Sequence, residues 1–370
     1  MEVISMRRLG ISLYPGKSKE SEDLNYIDKA HEHGFTRIFT NLLQLTDDNK
    51  STLLPIIEKT IRYAKSLDFE IFIDVAPRTF KVLGIEPNDL SFFNDLGVDG
   101  IRLDEGVGAK LTSDMTYNPY DIMIELNMSV MNHYIDNVMD FEPNRAHLVG
   151  CHNFYPHRYA GISEAFFLEG SKKFKKYGLR TAAFVSSEEA DFGPWPVTEG
   201  LPTLEEHRGI PVSTQAQYLW ATDLIDDVII SNCYPSEEEL KRLSYLKNEA
   251  ITFDVKIFDD ITELERKIVI EEPHFYRGDV SDYMIRSTQS RVKYKAESFP
   301  VHHTTAIKRG DILIDNEEYG QYKGELQIAL KPMINTGKVN VIGRIAPHDL
   351  QLLNYLKPWA FFKFNIQEMK

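Results

Sequence analysis

A chain of 370 residues, 42% hydrophobic and 26% charged, has the composition of a globular protein. It is longer than the ~250–300 residues at which single cores stop growing, so two domains are expected. Its formal net charge of -14 argues against a general binder of nucleic acid or of anionic membrane, although an anionic small molecule feels only its local pocket. MEVISMRRLG lacks an apolar run of signal-peptide length, and no later stretch approaches the ~20 apolar residues of a membrane span, so a cytoplasmic location is expected. Cys151 and Cys233, in no CxxC pair, fit a reducing compartment.

From Arg8 to about Asn248 short apolar strands alternate with helical segments, the pattern of a parallel sheet with helices outside. Strand candidates lie at 8–15, 37–44, 70–77, 99–105, 122–129, 146–156, 179–187 and 226–232. Between them Leu53, Leu54, Ile57, Ile61 and Ala64 recur at helical spacing, and Ser236 with Glu239 forms a capping box. Eight such units predict a (β/α)8 TIM barrel over residues 1–248, close to the usual ~250 residues. Two connections depart from the pattern. Residues 106–121 leave little room for a full helix, and 188–212 form a long Pro- and Gly-rich loop that is expected to be a structured lid over the barrel mouth. Residues 249–370 read as a smaller, mostly-β domain, a small closed or barrel-like sheet, in which only Pro347 to Leu356 looks helical.

In GIRLDEG, Gly100 to Gly106, the apolar Ile101 and Leu103 share one strand face, which leaves Arg102 and Asp104 on the other. Asp104 then points inward at the carboxyl end of its strand, where barrel enzymes place chemistry. The same alternation turns Tyr14, Asn41, Asp74, Asn127, Asn153, Ser186 or Glu188, and Asn232 inward near their strand ends, with Glu125 one layer below. Burying so many polar groups costs free energy unless something pairs with them, and a ligand rich in hydroxyls, a sugar, would do so. Sugar hydrolysis needs an acid and a second carboxylate or its equivalent. Asp104 is the first choice, followed by Asp74 on the neighbouring strand and Glu199 or Glu205 from the lid. His152, Asn153 and Tyr155 follow the sixth strand as further candidates for contacting a sugar. Arg208 in the lid and Arg286 in the second domain are candidates for an anionic group. The histidines lack a convergent carboxylate set, so no metal is expected, and no GxxxxGK[ST] or strand-following GxGxxG supports a nucleotide cofactor. A sugar-phosphate aldolase or isomerase would want an inward strand-end Lys, and none is predicted. A non-catalytic carbohydrate-binding or surface protein would want an export signal.

LGISLYP, GIRLDEG, IELNMS, HNFYPHRYAG, EGLPTLEEHR, MIRSTQSRV and YGQYKGELQIAL, in that order, resemble a bacterial family whose characterised members are 6-phospho-N-acetylmuramidases. The resemblance implies a TIM barrel followed by a cyclophilin-like β domain. It also implies cleavage of a phosphorylated disaccharide, N-acetylmuramic acid 6-phosphate linked β-1,4 to N-acetylglucosamine, in recycling of cell-wall fragments. Asp104, Asn127, Asn153, Tyr155, Glu199, Glu205, Arg208 and Arg286 are the site positions it carries over.

Overall fold

The computed structural model describes residues 7–195, 199–246 and 250–366. The chain divides into two compact units, Met1–Lys247 and Asn248–Lys370. The junction expected at 248/249, and Pro196 to Thr198 of the long loop, lie outside the described residues.

In the first unit eight strands close a parallel barrel in chain order: β1 Arg8–Ser12, β2 Arg37–Asn41, β3 Glu70–Val75, β4 Gly100–Leu103, β5 Met123–Asn127, β6 Leu148–Cys151, β7 Arg180–Val185 and β8 Asp227–Ile230. Each lies inside its expected stretch but is shorter, because ladder pairing stops where the chain turns into the loops of the mouth. Outward residues such as Ile11, Ile38, Ile71, Ile73 and Ile101 are fully buried beneath the surrounding helices.

The inward faces form three layers. At the amino end, Arg37 donates to Glu125 and, at 2.5 Å, to Asp227, while Arg8 and Arg180 bridge Glu70 and Asp227. In the middle, the Phe39 and Phe184 rings meet edge to face at 5.0 Å, and the Arg37 guanidinium lies 4.1 Å over Phe72. Gly100 makes room for this plug, since a Cβ there would fall 2.4 Å from the Phe72 ring. The polar layer at the carboxyl end therefore rests on a dry aromatic floor.

The second unit is a seven-stranded sheet in the order β10-β15-β9-β14-β12-β13-β11. Its strands are β9 Ile251–Ile257, β10 His274–Phe275, β11 Met284–Ser287, β12 Asp311–Asp315, β13 Leu326–Ala329, β14 Val339–Ile345 and β15 Phe361–Ile366. Two expectations change here. The sheet is not closed by a continuous ladder; its ends meet through one backbone bond, from the Arg277 N–H to the Arg286 carbonyl at 3.0 Å, and through His274 Nδ1, 3.2 Å from Ser287 Oγ. Helix is also more extensive than expected, for Glu263–Glu271 is helical where the apolar run from Lys267 suggests a strand. The overlooked signal is a capping box: Thr262 Oγ1 accepts the Glu265 N–H at 3.2 Å, and Glu265 Oε2 accepts the Thr262 N–H at 2.9 Å. Pro347–Asn354 winds as 3-10 helix.

Candidate active site

The strand-end alternation brings one charged cluster to the barrel mouth. Arg102, buried on β4, donates through Nη1 to Asp74 Oδ1 at 2.8 Å and to Asp104 Oδ1 at 3.4 Å, and through Nη2 to Asn153 Oδ1. The in-register pairing of Asp74 with Arg102 on β3 and β4 sets this geometry. The Asp104 N–H continues the ladder to the Val75 carbonyl at 3.0 Å, which fixes its backbone just past the strand.

The two carboxylates have different surroundings. Asp74 is buried, whereas the Asp104 side chain is 36% exposed. Burial pushes the Asp74 carboxyl up to about 7, Arg102 opposes this, and the nearby Asp104 charge adds to it. One carboxyl thus titrates near neutral pH beside another that solvent can reach.

Other expected residues surround this cluster in supporting positions. Ser129 is a hub that the sequence reading missed. Its Oγ accepts the Asn153 N–H at 2.9 Å and lies 2.9 Å from His152 Nδ1. Asn127 accepts the Ser129 N–H at 2.8 Å, closing the turn that presents this hydroxyl. The signal available in sequence was Asn127-Met128-Ser129, a strand ending in an Asx turn.

Several candidates are placed differently from the expectation that they contact substrate. His152 is fully buried and turned out of the barrel, with Nε2 2.9 Å from Ser171 Oγ on the helix Glu164–Lys175; burial pushes its imidazole down to about 3. Tyr14 is buried and donates its hydroxyl to the Ser231 carbonyl at 2.5 Å. Inward at that end of β8 is Ser231, while Asn232 bonds Ser187 and Ala190 in the loop. Asn41 is buried at the end of β2, in register with Asp74.

The lid residues also take structural positions. Glu205 accepts from the Tyr159 and Gly161 N–H groups at 2.7 and 2.9 Å and from Arg208 Nε and Nη2 at 2.8 Å each. These donors, Arg208 first, hold its carboxyl down to about 2, far too acidic to carry a proton at neutral pH. Arg208 also donates to the carbonyls of Glu199, Gly200, Tyr155 and His157, so it clamps the lid to the loop after β6 and has no donor left for a phosphate. Gly161 is required there, because a Cβ would lie 2.6 Å from the Glu205 nitrogen. Glu199 is exposed, 3.3 Å from Arg158. Phe154 covers the aromatic floor, its ring 5.0 Å from Phe184 and 5.8 Å from the lid's Trp195. Arg286 belongs to the second unit, where its Nε donates to Glu325 at 2.6 Å.

Among the described residues one trio, Asp254, His348 and Asp349 of the second unit, brings potential metal-ligand atoms within 4.8 Å of one another. Asp349 already accepts the Asp254 N–H at 2.6 Å, and Asn365 donates to Asp254 at 2.6 Å. No described helix is long and apolar enough to cross a membrane.

A closed parallel barrel with a carboxylate pair around one arginine at its carboxyl mouth defines a TIM-barrel protein with a charged cluster where such folds place their sites. The chain belongs to the 6-phospho-N-acetylmuramidase family: the model of the family's N-terminal part matches residues 9–245 and that of its C-terminal part matches 251–365. An uncharacterized B. cereus protein of known structure is 44% identical, with a TM-score of 0.88 over 97% of this chain and 99% of that one. A conserved Enterococcus faecalis protein of unknown function is 27% identical, with a TM-score of 0.76 over 97% of this chain and 96% of that one. No curated protein matches the chain.

Proposed function

We propose that the protein is a 6-phospho-N-acetylmuramidase, a hydrolase that cleaves the glycosidic bond of N-acetylmuramic acid 6-phosphate joined to N-acetylglucosamine, and that it works on cell-wall fragments in the cytoplasm. The observation that carries this reading is the Asp74 and Asp104 pair sharing the Arg102 guanidinium at the mouth. Glycoside hydrolysis requires one carboxyl that is protonated at working pH and a second group to stabilise the sugar cation, attack it, or orient the 2-acetamido group for attack. Asp74, held up at about 7, is the proton donor to the leaving oxygen. Asp104, more open, faces the anomeric centre or its acetamido neighbour. A lid glutamate as acid fits less well, since Glu205 is held down at about 2.

Asn153, its N–H held by Ser129, and Tyr155, its N–H held by the Pro202 carbonyl at 3.0 Å, supply an amide and a phenol for sugar hydroxyls. Arg78 and Arg158, in segments following β3 and β6, are the cations proposed for the phosphate and lactyl carboxylate now that Arg208 has a structural place. A cyclophilin-like ancestry for the second unit goes with this family reading.

The test is incubation with the phosphorylated and the unphosphorylated disaccharide, followed by chromatography of released amino sugar. Release of N-acetylglucosamine from the phosphorylated compound, lost in Asp104→Asn, is the expected result. Failure to cleave either compound, or equal cleavage of both, overturns the assignment.

A further inference from the structure

The second unit contains a cavity of about 470 Å³, within the ~300–1,000 Å³ of small-molecule sites. Its floor is one face of the sheet. Cross-strand register puts Leu313 beside Gln327 and Gln327 beside Arg286, so a single row runs across β12, β13 and β11. Asp315 stands two residues beyond Leu313 on the same face.

The two halves of the cavity differ in character. Ile307, Leu313, Met333 and Val339 make an apolar wall. Opposite them are Asp315, Glu325, Gln327 and Arg286, with Tyr319 and Tyr322 at the rim.

Most of these polar groups satisfy one another. Glu325 is fully buried between Arg286 Nε, at 2.6 Å, and Arg291 Nη1, at 3.0 Å. Gln327 Nε2 donates to Asp315 Oδ2 at 3.0 Å. Two buried carboxyl oxygens have no hydrogen-bond partner: Glu325 Oε2, which keeps its ion pair with Arg291, and Asp315 Oδ1, on a side chain 3% exposed, which has neither. A buried carboxyl oxygen left without a partner costs ~1–3 kcal/mol, and in a native site it points to a missing ligand atom.

We propose that this cavity is a second carbohydrate site, contained within the β domain, which takes an N-acetylated hexosamine. An orphan carboxyl oxygen, a carboxamide and a guanidinium side by side alternate acceptors and donors, as the hydroxyls of a pyranose do. The apolar wall suits the methyl of an acetamido group whose N–H reaches Asp315 Oδ1. The tyrosines at the rim offer faces to the C–H side of a ring. Burial, and then the adjacent Glu325, push the Asp315 carboxyl up to about 8, so near neutrality it can donate to a hydroxyl as well as accept from one. The preference for a hydroxylated ring stands on the cavity alone; the choice of an N-acetylated one rests also on the proposed barrel chemistry.

The full-length protein labelled with carbon-13 at its methionine methyls tests this, because Met284 and Met333 line the cavity while Met128 packs beside β6 of the barrel. N-acetylglucosamine is expected to shift the Met284 and Met333 signals saturably, and glucose to do so several-fold more weakly. Asp315→Asn should weaken the effect about tenfold, the scale of one lost hydrogen bond to a buried carboxyl. Gln327→Leu serves as a second variant if the methyl spectrum shows that Asp315→Asn has not folded. Shifts confined to Met128 would place the sugar in the barrel alone and overturn the proposal while leaving the hydrolase reading intact. Absence of any shift up to ~50 mM sugar, far above the weakest useful affinity, would overturn it outright.

Discussion

Replacing Asp74 with Asn should make the barrel more stable and the enzyme far slower. Holding a buried carboxyl at about 7 rather than 3.8 penalises its charged form by ~4 kcal/mol. Asn keeps an oxygen for the Arg102 contact and removes that penalty. Because the folded-state value is raised, the contribution of Asp74 is fully present below pH ~4 and is lost as pH rises through 7. The advantage of the variant should therefore be near zero at pH 4, grow through the acid range, and level off above pH 7 at ~2–4 kcal/mol, or roughly 5–10 °C in Tm. Calorimetry of both proteins at pH 4, 6 and 8 would measure it. Turnover of the phosphorylated disaccharide should fall ~10²–10⁴-fold in the same variant, the usual worth of a positioned general acid. Equal stability differences at pH 4 and 8, or a variant less stable at pH 8, would refute the assignment of Asp74 as a strained, protonatable carboxyl.

Three further outcomes follow from the same geometry. Asp104→Asn should lower kcat by at least ~10² with little change in Tm, since the side chain is one-third exposed and has one long contact; parallel turnover and melting measurements check this. Arg208→Lys cannot reproduce a clamp that joins Glu205 to four carbonyls, so limited proteolysis should cut near residues 155–161 or 199–209 and KM should rise. Gly100→Ala should cost ~1–3 kcal/mol by driving the Phe72 ring against its neighbours, read as a fall in the denaturation midpoint.

The barrel was legible because period-2 alternation and helical spacing are local properties, and every strand was found within its expected stretch. Asp74 and Asp104 could be placed on the inner face by the same rule. What local pattern could not show was which neighbour each polar residue would take. Arg102 reads from sequence as a local partner of Asp104, yet its reach to Asp74 on β3 and Asn153 after β6 depends on closure of the barrel. His152 and Tyr14 lie at strand ends but bond to a helix and to β8, elements 19 and 217 residues away. In the β domain, Thr262 and Glu265 did carry a local signal, and the apolar run after them obscured it.

The layered interior also separates two demands on one fold. Six charged residues, one from each of β1, β2, β3, β5, β7 and β8, compensate one another at the amino end, where breaking a buried pair costs ~3–5 kcal/mol. The phenylalanine layer then separates that network from the mouth, so a ligand entering there meets the upper cluster. At the mouth the compensation is incomplete, with two carboxylates to one guanidinium, and the surplus negative charge helps keep Asp74 protonated. A second arginine in direct contact with Asp74 would stabilise its charged form and take away its proton at neutral pH. On this argument the imbalance around Arg102 is a condition for acid catalysis by Asp74.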